Sequence, residues 1–314
     1  ITLPDGRPIY GGTYFPKEQW IHILKSLVST FQNDLEKVEE YAAKLHEGLS
    51  LNELIAIPQV ESNLQSEKLL ELVARWNKQF DWIEGGMSRA PKFPMPNNYA
   101  YLLAHSRFFK DEKLQEYVRL TLDKMAFGGI YDQIGGGFTR YSVDMIWKVP
   151  HFEKMLYDNA QLMELYALAF DAFQEESYKQ IVLEIFSWLQ REMKDDSGAY
   201  YSALDADSEG EEGKYYCWNE HELKSLLITD YPLFADYYAV SSRGFWEDEK
   251  YILLKTQSDA ECAKKWKINV QDLQNKVSEW KTMLLAERQK RIAPGLDHKC
   301  LTSWNAQLIN GMCQ

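Results

Sequence analysis

A chain that repeats the motif Gly-Gly-(Met/Phe)-x-Arg between long amphipathic helices has few folds open to it. The first copy sits in Glu84-Gly85-Gly86-Met87-Ser88-Arg89-Ala90-Pro91-Lys92-Phe93-Pro94. The second sits in Gly135-Gly136-Gly137-Phe138-Thr139-Arg140-Tyr141, which leads to Lys148-Val149-Pro150-His151-Phe152. Both continue with Lys, Pro and Phe after the arginine, which aligns Lys92 with Lys148. A third loop, Ser197-Gly198-Ala199-Tyr200-Tyr201, again joins glycine to aromatic residues. Such a degenerate repeat predicts helix hairpins with decorated loops gathered at one end, around a central cleft.

Apolar spacing places the helices. Ile21, Leu24, Leu27, Val28, Phe31, Leu35 and Val38 recur every three or four residues, which predicts one helix over Lys17 to Leu49. Before it, Pro4-Asp5-Gly6 has strong turn chemistry between two β-prone runs, a hairpin that needs a sheet to join. Residues 50–63 read as a linker around Pro58. From Leu64 onward, helices are expected around Leu69 to Trp76, Tyr99 to Phe109, Leu114 to Met125, Glu153 to Phe173, Tyr178 to Met193, Val270 to Arg291 and Thr302 to Met312. The domain reading is therefore 1–49, a linker 50–63, and a helical domain 64–314.

Charge and cysteines exclude several classes. Asp plus Glu number 47 and Lys plus Arg 35, a net charge of −12 that argues against nucleic acid or an anionic membrane as partner. No apolar run approaches the ~18 residues of a membrane span. The four cysteines form no Cys-x-x-Cys, so neither a dithiol centre nor a zinc knuckle is expected, and a reduced, cytoplasmic location is. No metal and no cofactor are expected. P-loop, Gly-x-Ser-x-Gly and His-Glu-x-x-His motifs are all missing from the sequence.

Two segments concentrate chemistry. Gly128 to Asn159 packs Asp132, Arg140, Tyr141, Asp144, Trp147, His151, Glu153, Lys154 and Asp158 into one loop and the start of the next helix. His151, Lys154 and Asp158 are three and four residues apart, which would put them on one helix face. The bland alternative is a buried polar network tying a long loop to its helix. The second segment, Asp205 to Lys214, begins like a calcium loop, with Asp205, Asp207 and Gly210 at the right places. Position twelve is Tyr216 rather than a bidentate Glu, so an EF-hand is rejected. A carboxylate pair or a solvated acidic turn remains. Aromatic rings beside carboxylates and arginine suit a polyhydroxylated ligand. His22, His46, His105 and His221 have no such context.

These residues resemble a known family. Pro4-Asp5-Gly6-Arg7-Pro8, Gly11-Gly12-Thr13-Tyr14-Phe15-Pro16, Ala90-Pro91-Lys92-Phe93-Pro94, Gly128-Gly129-Ile130-Tyr131-Asp132, Val149 to Ala160, Ser202 to Gly210 and Leu301-Thr302-Ser303-Trp304-Asn305-Ala306 are similar to the spermatogenesis-associated thioredoxin-like family. The resemblance runs along essentially the whole chain. It implies an N-terminal thioredoxin-like α/β domain, followed by an (α/α)6 toroid like that of N-acylglucosamine 2-epimerases and six-hairpin glycosidases. Residues 1–49 would be the C-terminal remnant of the thioredoxin-like domain, without its active-site cysteines. The toroid would be incomplete at its C-terminus, which leads to an expectation of self-association. The family's Asp-Asp-Lys is here Asp297-His298-Lys299, so His298 is not counted as a base.

Three functions follow as expectations. The first is a sugar epimerase, isomerase or glycosidase. Its catalytic candidates are His151 as base with Glu153, Asp132, Asp205 and Asp207. Arg140, Tyr141, Trp147, Lys154, Asp158 and Tyr201 would bind a sugar or other small-molecule ligand, with Arg140 and Lys154 placed to hold an oxyanion. The second is a thioredoxin-coupled redox or partner-binding module. The third is a glycan or peptide binder without turnover.

Overall fold

A computed structural model describes residues 1–12, 15–53 and 66–314. Thr13 and Tyr14 of the second N-terminal motif, and most of the expected linker, lie outside the described residues. The chain divides into two compact units, Ile1–Lys68 and Leu69–Gln314.

In the first unit, the Pro4-Asp5-Gly6 turn closes a single antiparallel bridge between Thr2 and Pro8. Two helices follow, α1 (Lys17–Asn33) and α2 (Leu35–Glu53), where one was expected. Asp34 interrupts them with a non-helical backbone (φ −150°, ψ 65°), and its carboxylate accepts from the Lys37 amide at 3.2 Å. A short polar side chain that offers the backbone an alternative partner is a common reason for a helix to stop and restart. Leu3, Val38 and Ala42 form a small core with Ile9.

The second unit is mainly α. Helices α3 (Ser66–Asn77), α4 (Pro96–Phe109) and α5 (Glu112–Phe127) come first. Short antiparallel strands β1 (Tyr141–Ser142) and β2 (Pro150–His151) follow, then β3 (Lys154–Met155), α6 (Leu156–Phe173) and α7 (Glu176–Trp188). Strand β4 (Ala203–Leu204) pairs with β3. β5 (Asp207–Ser208) pairs with β6 (Glu211–Glu212), and β7 (Trp218–Asn219) with β8 (Lys250–Tyr251). Helices α8 (Glu220–Leu227) and α9 (Tyr231–Tyr237) lie between β7 and β8. After them come α10 (Asp259–Trp266), α11 (Val270–Arg288), β9 (Leu296–Asp297), which pairs with β4, and α12 (Thr302–Cys313).

The helix hairpins share one device. α4 ends at Lys110 and α6 at Gln174, both left-handed at φ 55°, and two residues later the next helix is running. Such a residue turns the chain back and satisfies the last carbonyls. Helix α6 is buried almost all round because it packs against α4, α7 and α12. Gly311 of α12 admits the close crossing: a Cβ there would meet the Ala160 carbonyl at 2.6 Å. A second apolar cluster gathers Trp218, Leu223, Phe234, Tyr238, Leu273 and Trp280.

One expected boundary is wrong in an instructive way. The helix expected from Glu153 begins at Leu156, and residues 150–155 are extended. Side chains therefore alternate with period two: Phe152 and Lys154 turn inward, His151 and Glu153 outward. His151, Lys154 and Asp158 do not share a helix face.

Candidate functional site

The glycine loops are one structure made three times. Phe80 bridges Met87, Tyr131 bridges Phe138, and Lys194 bridges Tyr200. The amides of Asp81, Asp132 and Asp195 donate across each loop to the carbonyls of Gly86, Gly137 and Ala199, at 2.9, 3.0 and 2.8 Å. Ser88, Thr139 and Tyr201 each donate back to Gln79, Ile130 and Met193 at 2.8 Å. In the first two copies the aspartate also caps two loop amides and holds a buried lysine. Lys92 donates to Asp81 (2.7 Å) and to the Gly85 carbonyl (2.7 Å). Lys154 donates to Asp132 (2.8 Å) and to the Gly136 carbonyl (2.8 Å). Lys92 lies over Trp147 and Lys154 over Trp188. Gly86 and Gly137, at φ 73° and 80°, lie flat against those same rings, where a Cβ would come within 2.5 and 2.8 Å. The true counterpart of Lys92 is thus Lys154. Lys148 is instead a half-buried side chain that donates to the Phe245 carbonyl at 2.7 Å.

This geometry sorts the sequence candidates into two groups. Asp132, Trp147 and Lys154 belong to the interior. Lys154 is fully buried, Asp132 nearly so, and Arg288 of α11 adds a second cation at 2.9 Å. Burial acts to raise the Asp132 carboxyl, but the charges of Arg288 and Lys154 outweigh it and hold the group well below the usual carboxylate range. Trp147 is fully buried, and its indole donates to the Glu84 carbonyl at 2.9 Å. Together they tie a long loop to its helices.

His151, Glu153, Arg140, Tyr141 and Asp158 belong to the outer face. Strand β1 pairs with β2 in a register that sets Tyr141 beside His151, and their rings stack at 5.0 Å. His151 Nδ1 lies 2.8 Å from Glu212 Oε1. An ionised carboxylate only accepts, so Nδ1 is the donor in that contact. That Nε2 is 3.8 Å from Glu153, whose carboxylate accepts from Arg140 at 3.2 Å. The Tyr157 hydroxyl lies beside Arg140, and its ring packs edge-on against Trp304 at 4.8 Å. Asp158 completes the group. Burial pushes its carboxyl up to about 7, with Arg140 opposing and Glu153 reinforcing the rise. Its Oδ2 is buried without a hydrogen-bond partner.

Of the remaining candidates, Asp205 and Asp207 border this group and Tyr201 makes its contacts elsewhere. Asp205 is exposed at the end of β4 and accepts from the Ala206 amide at 2.7 Å. Continuing the β3–β4 register places it opposite Glu153. Asp207 is exposed in the β5–β6 hairpin. Tyr201 donates to Asp195 at 2.8 Å and meets the His298 ring edge-on. Sequence reasoning missed Glu212 and Arg288. Glu212 is one carboxylate in an acidic run, and only the hairpin brings it to His151. Arg288 ends a long helix with no local signal. Among the described residues, no group of three or more His, Cys, Asp or Glu is placed to hold a metal, and no helix is long and apolar enough to cross a membrane.

No protein-family model matches the chain. Among solved structures it is similar to cellobiose 2-epimerase from Bacillus thermoamylovorans, with 12% identity, TM-score 0.41 and coverage of 79% of this chain and 80% of that one. It is also similar to cellobiose 2-epimerase from Spirochaeta thermophila, with 16% identity, TM-score 0.38 and 80% coverage of both chains. Sequence relatives are nearer. An uncharacterized protein of Caenorhabditis elegans is 32% identical over 99% of this chain and 47% of its own length. Human and mouse spermatogenesis-associated protein 20 are each 29% identical over 98% of this chain and 44% of theirs. The chain spans about half the length of the curated relatives it matches. The chain is thus similar to spermatogenesis-associated protein 20 over nearly its whole length.

Proposed function

We propose that the outer group around His151 binds a small sugar and moves a proton on it, in the manner of an epimerase or isomerase. The observation that carries this reading is one constellation: an imidazole held through Nδ1 by Glu212, the Glu153–Arg140 pair beside its Nε2, and the unpartnered carboxyl of Asp158, pushed up to about 7, in the field of that pair. A ring nitrogen that can take a proton and a carboxyl raised to about 7 that can give one suit a base and an acid.

The step balances on these residues alone. The substrate is an open-chain sugar with a carbonyl. His151 Nε2 takes the proton from the carbon next to it, and the C–H electron pair moves to the carbonyl oxygen to give an enediolate. Arg140 holds that oxygen. Asp158 returns a proton to the carbon from the other side, and both side chains reset by exchange with water. Tyr141 and Trp304 supply apolar surface for the C–H groups of the sugar.

The test is ligand-observed NMR of mono- and disaccharides with the full-length protein, followed by incubation of any bound sugar in D2O. Binding, with deuterium entering the carbon next to the carbonyl, is the expected result. Both should be lost in His151→Ala, and deuterium uptake alone in Asp158→Asn. Binding without uptake leaves a glycan binder. No binding of any sugar overturns the proposal and favours a redox-coupled partner module.

A further inference from the structure

A cleft of about 540 Å³ lies on the second unit, between α5, the β1–β2 loop and the segment that follows β8. None of its lining residues belongs to the His151 group. Four cations line it: Lys124, Lys148, Arg243 and Lys255. The lining carboxylates are Glu84 and Asp123, and neither is free to balance them all. Glu84 is held by Lys124 at 2.8 Å. Asp123 accepts from the Tyr178 hydroxyl at 2.7 Å, and burial raises its carboxyl. Lys255 has its own partner in Asp259, at 2.6 Å. That leaves two cations without a carboxylate partner among the described residues. Lys148 reaches only the Phe245 carbonyl, and Arg243 is exposed with no side-chain partner. Asp144, whose charge acts on Lys148, makes no ion pair with it and caps the amides of Ile146, Lys148 and Val149. The floor is apolar, from Leu120, Phe127, Ile146 and Leu254.

Two cations without a direct carboxylate pair, in a concave site, stand against the sign of the whole chain, whose net charge is −12. Low-dielectric walls focus such a field and favour an anion over bulk water. We infer that this cleft binds a small organic oxyanion: a phosphate or carboxylate head between Lys148 and Arg243, with an apolar body on Leu120, Phe127 and Ile146. Burial lowers the Lys148 ammonium, with the Asp144 charge opposing and Arg243 reinforcing, so an arriving anion would offset its desolvation.

The probes are inorganic phosphate and phenyl phosphate, titrated calorimetrically into the wild-type chain and into Arg243→Gln and Lys148→Gln at constant ionic strength. Phenyl phosphate should bind at least tenfold tighter than phosphate, and each variant should weaken it by tenfold or more. Affinity should fall steeply with added salt. Arg243 is exposed and holds no side chain in place, so Arg243→Gln should leave the melting temperature unchanged and keeps the test clean if Lys148→Gln misfolds. Failure of wild type to bind either probe at millimolar concentration overturns the inference, as does Arg243→Gln binding as tightly as wild type. Equal affinity for the two probes overturns the apolar half of it.

Discussion

In the first glycine loop, Arg89 is exposed and the chain returns to Asp81 with Lys92 only three residues later. In the second, Arg140 is held by Glu153, and Lys154 comes fourteen residues later. The buried closure is nevertheless the same: lysine to aspartate, lysine to a glycine carbonyl, lysine over a tryptophan. Because the ion pair forms between the ends of the loop, the chain between arginine and lysine can lengthen without disturbing it. The added length carries β1, β2, Tyr141, His151 and Glu153. The third copy shows the limit of the trade. Asp195 has no lysine, Tyr201 takes its place on the carboxylate, and the loop stays exposed.

The same contrast ranks the expected effects of substitution. Asp132→Asn should be the most damaging, because it leaves both Lys154 and Arg288 buried without their carboxylate. Breaking one buried pair costs about 3–5 kcal/mol, so a loss beyond that range is expected, and a larger one than in Asp81→Asn, which strands only Lys92. The lysines should rank the other way. Lys92→Met leaves Asp81 without its cation, whereas Lys154→Met leaves Arg288 on Asp132. Urea unfolding of the four variants checks both orders, and matching orders for aspartates and lysines would break the parallel.

Glycine substitutions come next. Gly86→Ala and Gly137→Ala combine a left-handed backbone with a collision against Trp147 or Trp188, and together these should cost about 3 kcal/mol. Gly198→Ala, at φ 92° with open space around it, should cost only about 1 kcal/mol. Equal melting temperatures for all three would show that the tryptophan contacts are dispensable.

The pH dependence of stability separates the helices that follow the loops. Asp158 is the third residue of α6, and Asn98 is the third residue of α4. The folded Asp158 binds its proton more tightly than the unfolded chain does. Its contribution is therefore full below the ordinary value of 3.8 and is lost as pH rises through about 7. Asp158→Asn should flatten the fall in melting temperature over that interval, and an unchanged profile would remove Asp158 as a protonated group at neutral pH. Asp132 has the opposite sign: its contribution is present above 3.8 and is lost as pH falls below it.

A smaller stability effect still should come from Arg140→Ala. Its pair with Glu153 is partly exposed, which limits the loss to under about 1 kcal/mol. Sugar binding, read by NMR, should vanish all the same, while Arg89→Ala should change neither quantity. Retained binding in Arg140→Ala would detach Arg140 from the proposed site.

Much of the helical framework was legible because amphipathic spacing and turn chemistry are local. α4, α5, α7, α11 and α12 fall where apolar residues recur. The break at Asp34 and the extended run before Leu156 were not, since apolar spacing is nearly continuous through the first and strand pairing with β4 decides the second. The family motif Trp304-Asn305 shows both sides. Its presence was plain, but its use emerges only in space: Asn305 brackets the Tyr200 backbone at 2.9 and 3.0 Å, as Asn159 brackets that of Phe138. The third loop is thus docked on α12 in the way the second is docked on α6.

What the sequence by itself determined is the set of residues capable of chemistry and the loops that carry them, since glycines, charges and periodicity are properties of neighbours along the chain. Only the tertiary structure decided which of those residues meet. Period-two alternation in an extended run turned Lys154 into the core and His151 out of it. Partners distant in sequence, Arg288 for Asp132 and Glu212 for His151, then set the charge on each side. A carboxylate's protonation depends on its burial and on the charges around it, and neither is a property of its position in the chain.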